Sequence, residues 1–271
     1  MPELPEVETT RAGLEPLLLS QTISEVIVRD ARLRWPVPDT LSPEMQGQTV
    51  TAVRRRAKYL LWETRTGTCM VHLGMSGSLR VVGQEADLHT HDHVLWRLTD
   101  GREVRLRDPR RFGSVHWIQE PIDEHPLLAS LGPEPLGNEF SGQLLFKQSR
   151  GKKVAVKNFI MDAKVVVGVG NIYASEALFR AGIHPSRASG RVGASRYELL
   201  AKAIRDVLRA AITAGGTTLR DFANNQGEPG YFAQRLAVYG REDEPCTRCE
   251  KTITKRVIGQ RSSFFCSQCQ R

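Results

Sequence analysis

No apolar run in these 271 residues approaches the roughly 18 that a membrane-spanning helix requires, which argues against a transmembrane protein. The opening Met-Pro-Glu-Leu-Pro-Glu lacks both the cationic start and the apolar stretch of a secretory signal, so the expected location is the cytoplasm, or the nucleoid if the chain binds DNA. Cysteine is scarce. Of five cysteines, Cys69 stands alone in an apolar run that reads as core, and the other four crowd at the C-terminus. That distribution excludes a disulfide framework spread along the chain. Internal repeats and low-complexity tracts are also missing. What remains is ordinary for a globular protein, with 40% hydrophobic and 25% charged residues, in a chain long enough for two domains.

Charge is not evenly spread. Residues 1–140 hold 16 Lys/Arg against 20 Asp/Glu, a net of −4, whereas residues 141–271 hold 22 against 10, a net of +12. A basic half suits a polyanionic partner, because neutralising phosphates releases condensed counterions.

The pattern of residues predicts an α+β multidomain chain. Residues 3–19 read as a helix with Val7, Leu14, Leu17 and Leu18 along one stripe. Short runs rich in Val, Leu, Ile and Thr then follow at 22–28, 49–53, 59–63, 68–73, 78–82, 93–98 and 103–107, separated by turn residues, as in a two-layer β-sandwich. A Pro- and Gly-rich stretch at 119–138 reads as a linker. Helical spacing dominates beyond it, with Ser195-x-x-Glu198 as a capping-box signal and Gly215-Gly216 as a stop. Residues 217–232 read as a mobile loop. The expected domains are 1–118, 119–138 (linker), 139–240 and 241–271.

Cys246-x2-Cys249 and Cys266-x2-Cys269, sixteen residues apart, have two-knuckle zinc spacing. Four thiolates leave no open position on a tetrahedral ion, so one structural Zn²⁺ is expected, held by a β-hairpin. Lys251, Lys255, Arg256 and Arg261 make that hairpin basic. The run Val165–Asn171 superficially resembles a dinucleotide fingerprint, but Tyr173 occupies the place of the third glycine and a helical context surrounds it. It reads instead as a Gly-rich turn opening a helix over 172–181. That helix start is a good seat for phosphate. Asn171 adds a side-chain donor, although a Gly-Asn pair taken alone is most simply an asparagine cap. His91-Asp92-His93 has no further ligands near it in sequence and reads as a turn with one DNA-contacting histidine, or as a satisfied surface pair. Met1 before proline is commonly removed, which would leave Pro2 as a secondary amine. An α-amine has an ordinary pKa near ~8 and is partly neutral, hence nucleophilic, near pH 7. Glu3 and Glu6 beside it would serve as proton donors if burial raised their pKa values.

Taken in order, six segments carry a specific resemblance across almost the whole chain. They are residues 1–9, Lys58-Tyr-Leu-Leu61, His72–Leu79, Asp108-Pro-Arg-Arg-Phe-Gly113, Val167–Ala174 and the cysteine module. Together they resemble the formamidopyrimidine-DNA glycosylase family. Leu4 favours its purine-directed branch over the endonuclease VIII branch, which usually has glycine there. The resemblance implies a helix–two-turn–helix in the helical domain and a zinc-finger hairpin after it. It implies a monomeric base-excision-repair enzyme acting on double-stranded DNA, a bifunctional glycosylase and abasic-site lyase that removes 8-oxoguanine and formamidopyrimidines. By the same resemblance, Pro2 is the Schiff-base nucleophile, Glu3 the general acid, and Lys58 and Arg261 the cations at the lesion phosphates. Met75, Arg110 and Phe112 fill the vacated base stack, and His91, Lys152 and Asn171 contact DNA. Chemistry alone separates Arg110 poorly from Arg111. The competing readings are an endonuclease VIII-like enzyme for oxidised pyrimidines, a non-catalytic zinc-finger DNA-binding protein and an inactive damage sensor.

Overall fold

The structure, a computed structural model, describes residues 2–216 and 236–271. Met1 and the expected loop 217–232 lie outside the described residues. Within them the chain forms two compact units, residues 2–129 with 214–216, and residues 130–213 with 236–271.

The first unit opens with helix α1 (Leu4–Leu18), with Pro5 in its first turn, where a missing N–H costs nothing. Two four-stranded antiparallel sheets follow. One has the order β1 (Ile23–Val28), β6 (Asp92–Leu98), β7 (Arg102–Arg107), β5 (Ser78–Gly83). The other has the order β2 (Ala52–Arg56), β3 (Tyr59–Glu63), β4 (Thr68–His72), β8 (Ser114–Ile118). Both sheets contribute to one core with α1. Val26, Val94, Val104 and Leu106 come from the first sheet, and Val53, Leu60, Val71 and Val115 from the second. Trp62 and Trp96, from different sheets, meet edge to face at 4.9 Å. Cys69 is fully buried among these side chains, and burial pushes its thiol pKa up, so it is a core residue rather than a nucleophile.

Three details depart from the sequence pattern. β2 lies three residues later than its apolar run, over Arg54, Arg55 and Arg56, because pairing with β3 sets the register and the arginine charges can still reach water or a carboxylate. β8, whose Val115, Trp117 and Ile118 lie outside the expected runs, is held as a strand by pairing with β4. A five-residue helix, α2 (Leu41–Met45), is too short to show a helical period in sequence.

The second unit contains α3 (Gly142–Ser149), α4 (Val156–Met161), α5 (Asn171–Arg180), α6 (Ala194–Thr213) and the hairpin β9 (Thr254–Ile258) and β10 (Arg261–Phe265). Ser141 caps α3 by accepting from the Leu144 N–H. α6 already begins at Ala194, so Ser195 lies inside its first turn rather than at the cap. Glu198 serves packing there: the α-carbon of Gly142 approaches it so closely that an added Cβ would stand 2.5 Å from the Glu198 Cα. The helix stops at Thr213, and Gly215 follows in the left-handed region at φ 75°. The buried Glu176 carboxylate on α5 accepts from the N–H groups of Ala237, Val238 and Tyr239, each at 2.9 Å, which fixes the chain leading into the cysteine module.

Candidate nucleophile and nucleic-acid interface

Pro2 and Glu3 are buried immediately before α1. Glu3 is the N-cap residue. Its main-chain N–H donates to Glu6 Oε2 at 2.8 Å, and its side chain accepts reciprocally from the Glu6 N–H. The capping box of this chain is therefore here, built from two glutamates, and it fixes the backbone next to Pro2. One turn later, Glu8 accepts from Arg55 Nε at 2.8 Å, and Arg55 Nη1 donates to the Ala57 carbonyl at 2.8 Å. Ala57 (φ 54°) and Lys58 form the two-residue turn between β2 and β3. Glu8 and Arg55 thus tie the Lys58 turn to the helix that carries Pro2, a link the sequence did not reveal because 47 residues separate the partners.

His72 lies beside this turn, with its ring 4.9 Å from that of Tyr59. Burial, reinforced by the charges of Lys58, Arg34 and His116, lowers its pKa to about 4. Its Nδ1 accepts from the Gly74 N–H at 3.0 Å, as a neutral imidazole must.

Met75, Arg110 and Phe112 occupy two loops lashed together by the fully buried Asp108. Its Oδ1 accepts from the Ser76 hydroxyl at 2.7 Å and its Oδ2 from the Gly113 N–H at 2.8 Å. Its carbonyl lies 2.9 Å from His93 Nε2, and its own N–H donates to the His91 carbonyl. Gly74, at φ 63°, brings the two loops into contact, since an added Cβ would stand 2.3 Å from the Phe112 carbonyl carbon. Phe112 remains 43% exposed, and the Arg110 guanidinium lies 4.8 Å above its ring. Arg111 is instead paired with Asp30 at 3.1 Å. Arg110 thus lies beside Phe112, whereas Arg111 is tied to Asp30. In the triplet His91-Asp92-His93 only His91 is exposed, so this is not a surface pair. Asp92 is buried on Arg107, and His93 is buried on Asp108.

In the second unit, Asn171 does not cap its helix. Gly170 is the N-cap residue, and Asn171 opens the first turn. Its Oδ1 accepts from Lys157 Nζ at 2.5 Å, and its Nδ2 donates to the Ser262 carbonyl at 3.0 Å. Lys157, fully buried, also donates to the Ser263 hydroxyl at 2.5 Å and the Ser262 carbonyl at 3.2 Å. A buried ammonium needs such acceptors. It joins α4, α5 and β10 at one point, and it was missed in sequence because nothing marks one lysine for burial in a stretch rich in exposed cations. Arg261 starts β10, exposed, just after the tight turn Gly259–Gln260, both at positive φ. Lys152 is exposed, with its ammonium 5.1 Å from the Phe159 ring.

Cys246, Cys249, Cys266 and Cys269 place their sulfurs within 4.8 Å of one another, with spacings of 3.4 Å (249–269), 3.5 Å (249–266) and 3.9 Å (246–269). Zn–S bonds of about 2.3 Å in a tetrahedron require S···S of about 3.8 Å, so these thiols fit one zinc and not disulfides. One structural zinc ion belongs here, closed to substrate by its four thiolates.

Profiles of three families match in sequence. The formamidopyrimidine-DNA glycosylase N-terminal domain matches residues 1–115, the H2TH domain of the same glycosylases residues 131–223, and a zinc finger found in FPG and IleRS residues 243–271. The formamidopyrimidine-DNA glycosylases of Syntrophotalea carbinolica and Magnetococcus marinus are each 59% identical, over the full length of both chains. Among solved structures, the MutM (Fpg) protein of Thermus thermophilus superposes with a TM-score of 0.89 at 38% identity, covering 99% of this chain and 98% of its own. The Lactococcus lactis Fpg in complex with DNA containing an abasic site gives 0.92 at 31% identity, covering 99% of each chain.

Proposed function

The chain belongs to the formamidopyrimidine-DNA glycosylase family and is a DNA glycosylase of base excision repair, and on that premise we propose that Pro2 is its nucleophile and that it also cleaves the strand as an abasic-site lyase. The observation that carries this reading is the N-terminus itself. Pro2 is placed by a capping box directly before α1, and the Glu8–Arg55 pair ties that helix to the Lys58 turn.

Once Met1 is removed, the Pro2 nitrogen attacks C1′ of the damaged nucleotide. The N–C1′ bond forms as the glycosidic bond breaks, and the base leaves with a proton. Glu3 protonates the ring oxygen, so the sugar opens to an iminium ion, whose fixed positive charge is an electron sink. Loss of a C2′ proton expels the 3′ phosphate by β-elimination, and loss of a C4′ proton then expels the 5′ phosphate by δ-elimination. Hydrolysis of the iminium frees Pro2. Lys58 and Arg261 neutralise the phosphates at the lesion, and His91, Lys152 and Asn171 hold the backbone. Met75, Arg110 and Phe112 occupy the space of the flipped nucleotide, offsetting the few kcal/mol that unstacking costs. The zinc ion holds the hairpin that carries Arg261 and takes no part in bond making. The substrates are oxidised purines, 8-oxoguanine and formamidopyrimidines, in double-stranded DNA. The enzyme acts as a monomer in the cytoplasm, on the nucleoid.

Borohydride trapping on an 8-oxoguanine:C duplex tests this. Reduction of the iminium gives a covalent adduct that maps to residue 2 and is lost in Pro2→Gly. Tight DNA binding by protein with Met1 removed, without any adduct, would overturn the mechanism.

A further inference from the structure

Three stretches of the second unit contain no acidic residue: 142–161, 177–197 and 251–271 carry fourteen Lys/Arg and no Asp/Glu. Far apart in sequence, they are adjacent in the fold. The Ser189 N–H donates to the Val154 carbonyl at 2.8 Å, the Val156 N–H to the Arg187 carbonyl at 2.7 Å, and the Gly190 N–H to the Lys152 carbonyl at 2.9 Å. The third stretch joins them through Arg271, whose N–H donates to the Gly182 carbonyl, and through the His184 ring against Phe265 at 4.5 Å.

Where they meet, a solvent-open depression of about 890 Å³ is lined by His184, Ser186, Arg187, Arg191, Gln270 and Arg271, among others. None of the side chains of Arg187, Arg191, Arg256 or Arg271 is in an ion pair among the described residues. The crowding of like charge is felt locally. Burial, with the charge of Arg187 added, holds the Arg196 guanidinium below its usual pKa, and burial together with Arg256 and Arg187 does the same to His184. The backbone beneath is fixed: Gln270 donates to the Ile183 carbonyl and accepts from the Cys266 N–H, each at 2.9 Å. Uncompensated arginines on a rigid frame are a site prepared for an anion, because the repulsion is already present before the ligand arrives.

We propose that this depression is a second phosphodiester-binding site, which takes the DNA backbone away from the damaged nucleotide and so lengthens the duplex that the enzyme grips. The ligand follows from the setting. The depression adjoins the Lys152 loop through the Gly190–Lys152 hydrogen bond, and guanidinium groups match the paired oxygens of a phosphate. The proposal rests on the reading of the chain as a DNA glycosylase. The site contributes affinity and search on undamaged DNA rather than chemistry.

The test uses the zinc-loaded full chain and the double substitution Arg187→Ala/Arg191→Ala, with Arg187→Lys/Arg191→Lys as the control that keeps charge. Binding is measured against salt on a short lesion duplex and on one extended by two helical turns. On the long duplex the alanine variant should lower the slope of log affinity against log salt by about 1.8, at about 0.9 per lost phosphate contact, and the lysine variant should restore most of it. On the short duplex, binding and the single-turnover rate of base release at saturating enzyme should match wild type. An unchanged slope on the long duplex, or an equal loss on both lengths, would overturn the site. Failure of the wild type itself to release the damaged base would instead overturn the functional reading, whatever the slopes.

Discussion

At the scale of the residue, His72 shows how burial and neighbouring cations combine. Its pKa is lowered from 6.5 to about 4, so the folded protein keeps it neutral while the unfolded chain protonates it below pH 6.5. Stability from this group is therefore complete above pH 6.5 and is lost as pH falls from 6.5 towards 4. Below that, both states are protonated and the loss levels off. At 1.36 kcal/mol per pKa unit the loss is on the order of 3 kcal/mol. His116 and His125, also lowered chiefly by burial, add loss in the same direction. Replacing His72 by Gln, whose oxygen can still accept from Gly74, should flatten the stability curve in this window when chemical denaturation is followed at several pH values. A His72→Gln variant as acid-sensitive as wild type would show that the ring does not stay neutral. Residue chemistry also sorts neighbours that sequence leaves equivalent. Arg110 and Arg111 are identical in type, and their contacts differ: Arg111 pairs with the Asp30 carboxylate, 81 residues away, and Arg110 stacks on Phe112.

At the scale of the element, the zinc hairpin is the part with least core of its own. Its apolar support is Ile253, Phe264 and the cysteines, packed with Phe179 and Val238. So small a cluster does not order thirty residues without the metal, whose binding supplies about 10 kcal/mol or more of folding free energy in such modules. Chelation of zinc, or Cys249→Ala, should release the hairpin and with it Arg261 and the acceptors of Lys157. DNA affinity should then fall more than about tenfold, equivalent to about 1.4 kcal/mol, while the near-ultraviolet dichroism of Trp62 and Trp96 in the sandwich persists. Loss of both signals together would mean that the sandwich depends on the metal module. The sandwich loops depend on a different device, the single carboxylate of Asp108, which serves two loops through its two oxygens.

At the scale of the whole molecule, charge is the organising quantity. The net of +12 in residues 141–271 against −4 in residues 1–140 means that most phosphate neutralisation falls to the helical and zinc-bearing part. With six or more phosphates engaged, affinity should fall by about 10³ or more between 50 and 200 mM salt, as read by fluorescence anisotropy on undamaged duplex. A nearly flat dependence would contradict a binding mode dominated by backbone charge. Much of this molecule was legible before folding was considered. The zinc spacing, the order of the motifs, the strand-forming runs and the charge imbalance are local or compositional, and local chemistry decides them. The tertiary structure alone decided the rest. Examples are the Glu8–Arg55 link to the Lys58 turn, the Asp108 hub, the Lys157 junction with Asn171, and the convergence of three acid-free segments on one depression. Each depends on partners tens of residues apart, and no spacing rule reports which distant groups burial will force to satisfy one another.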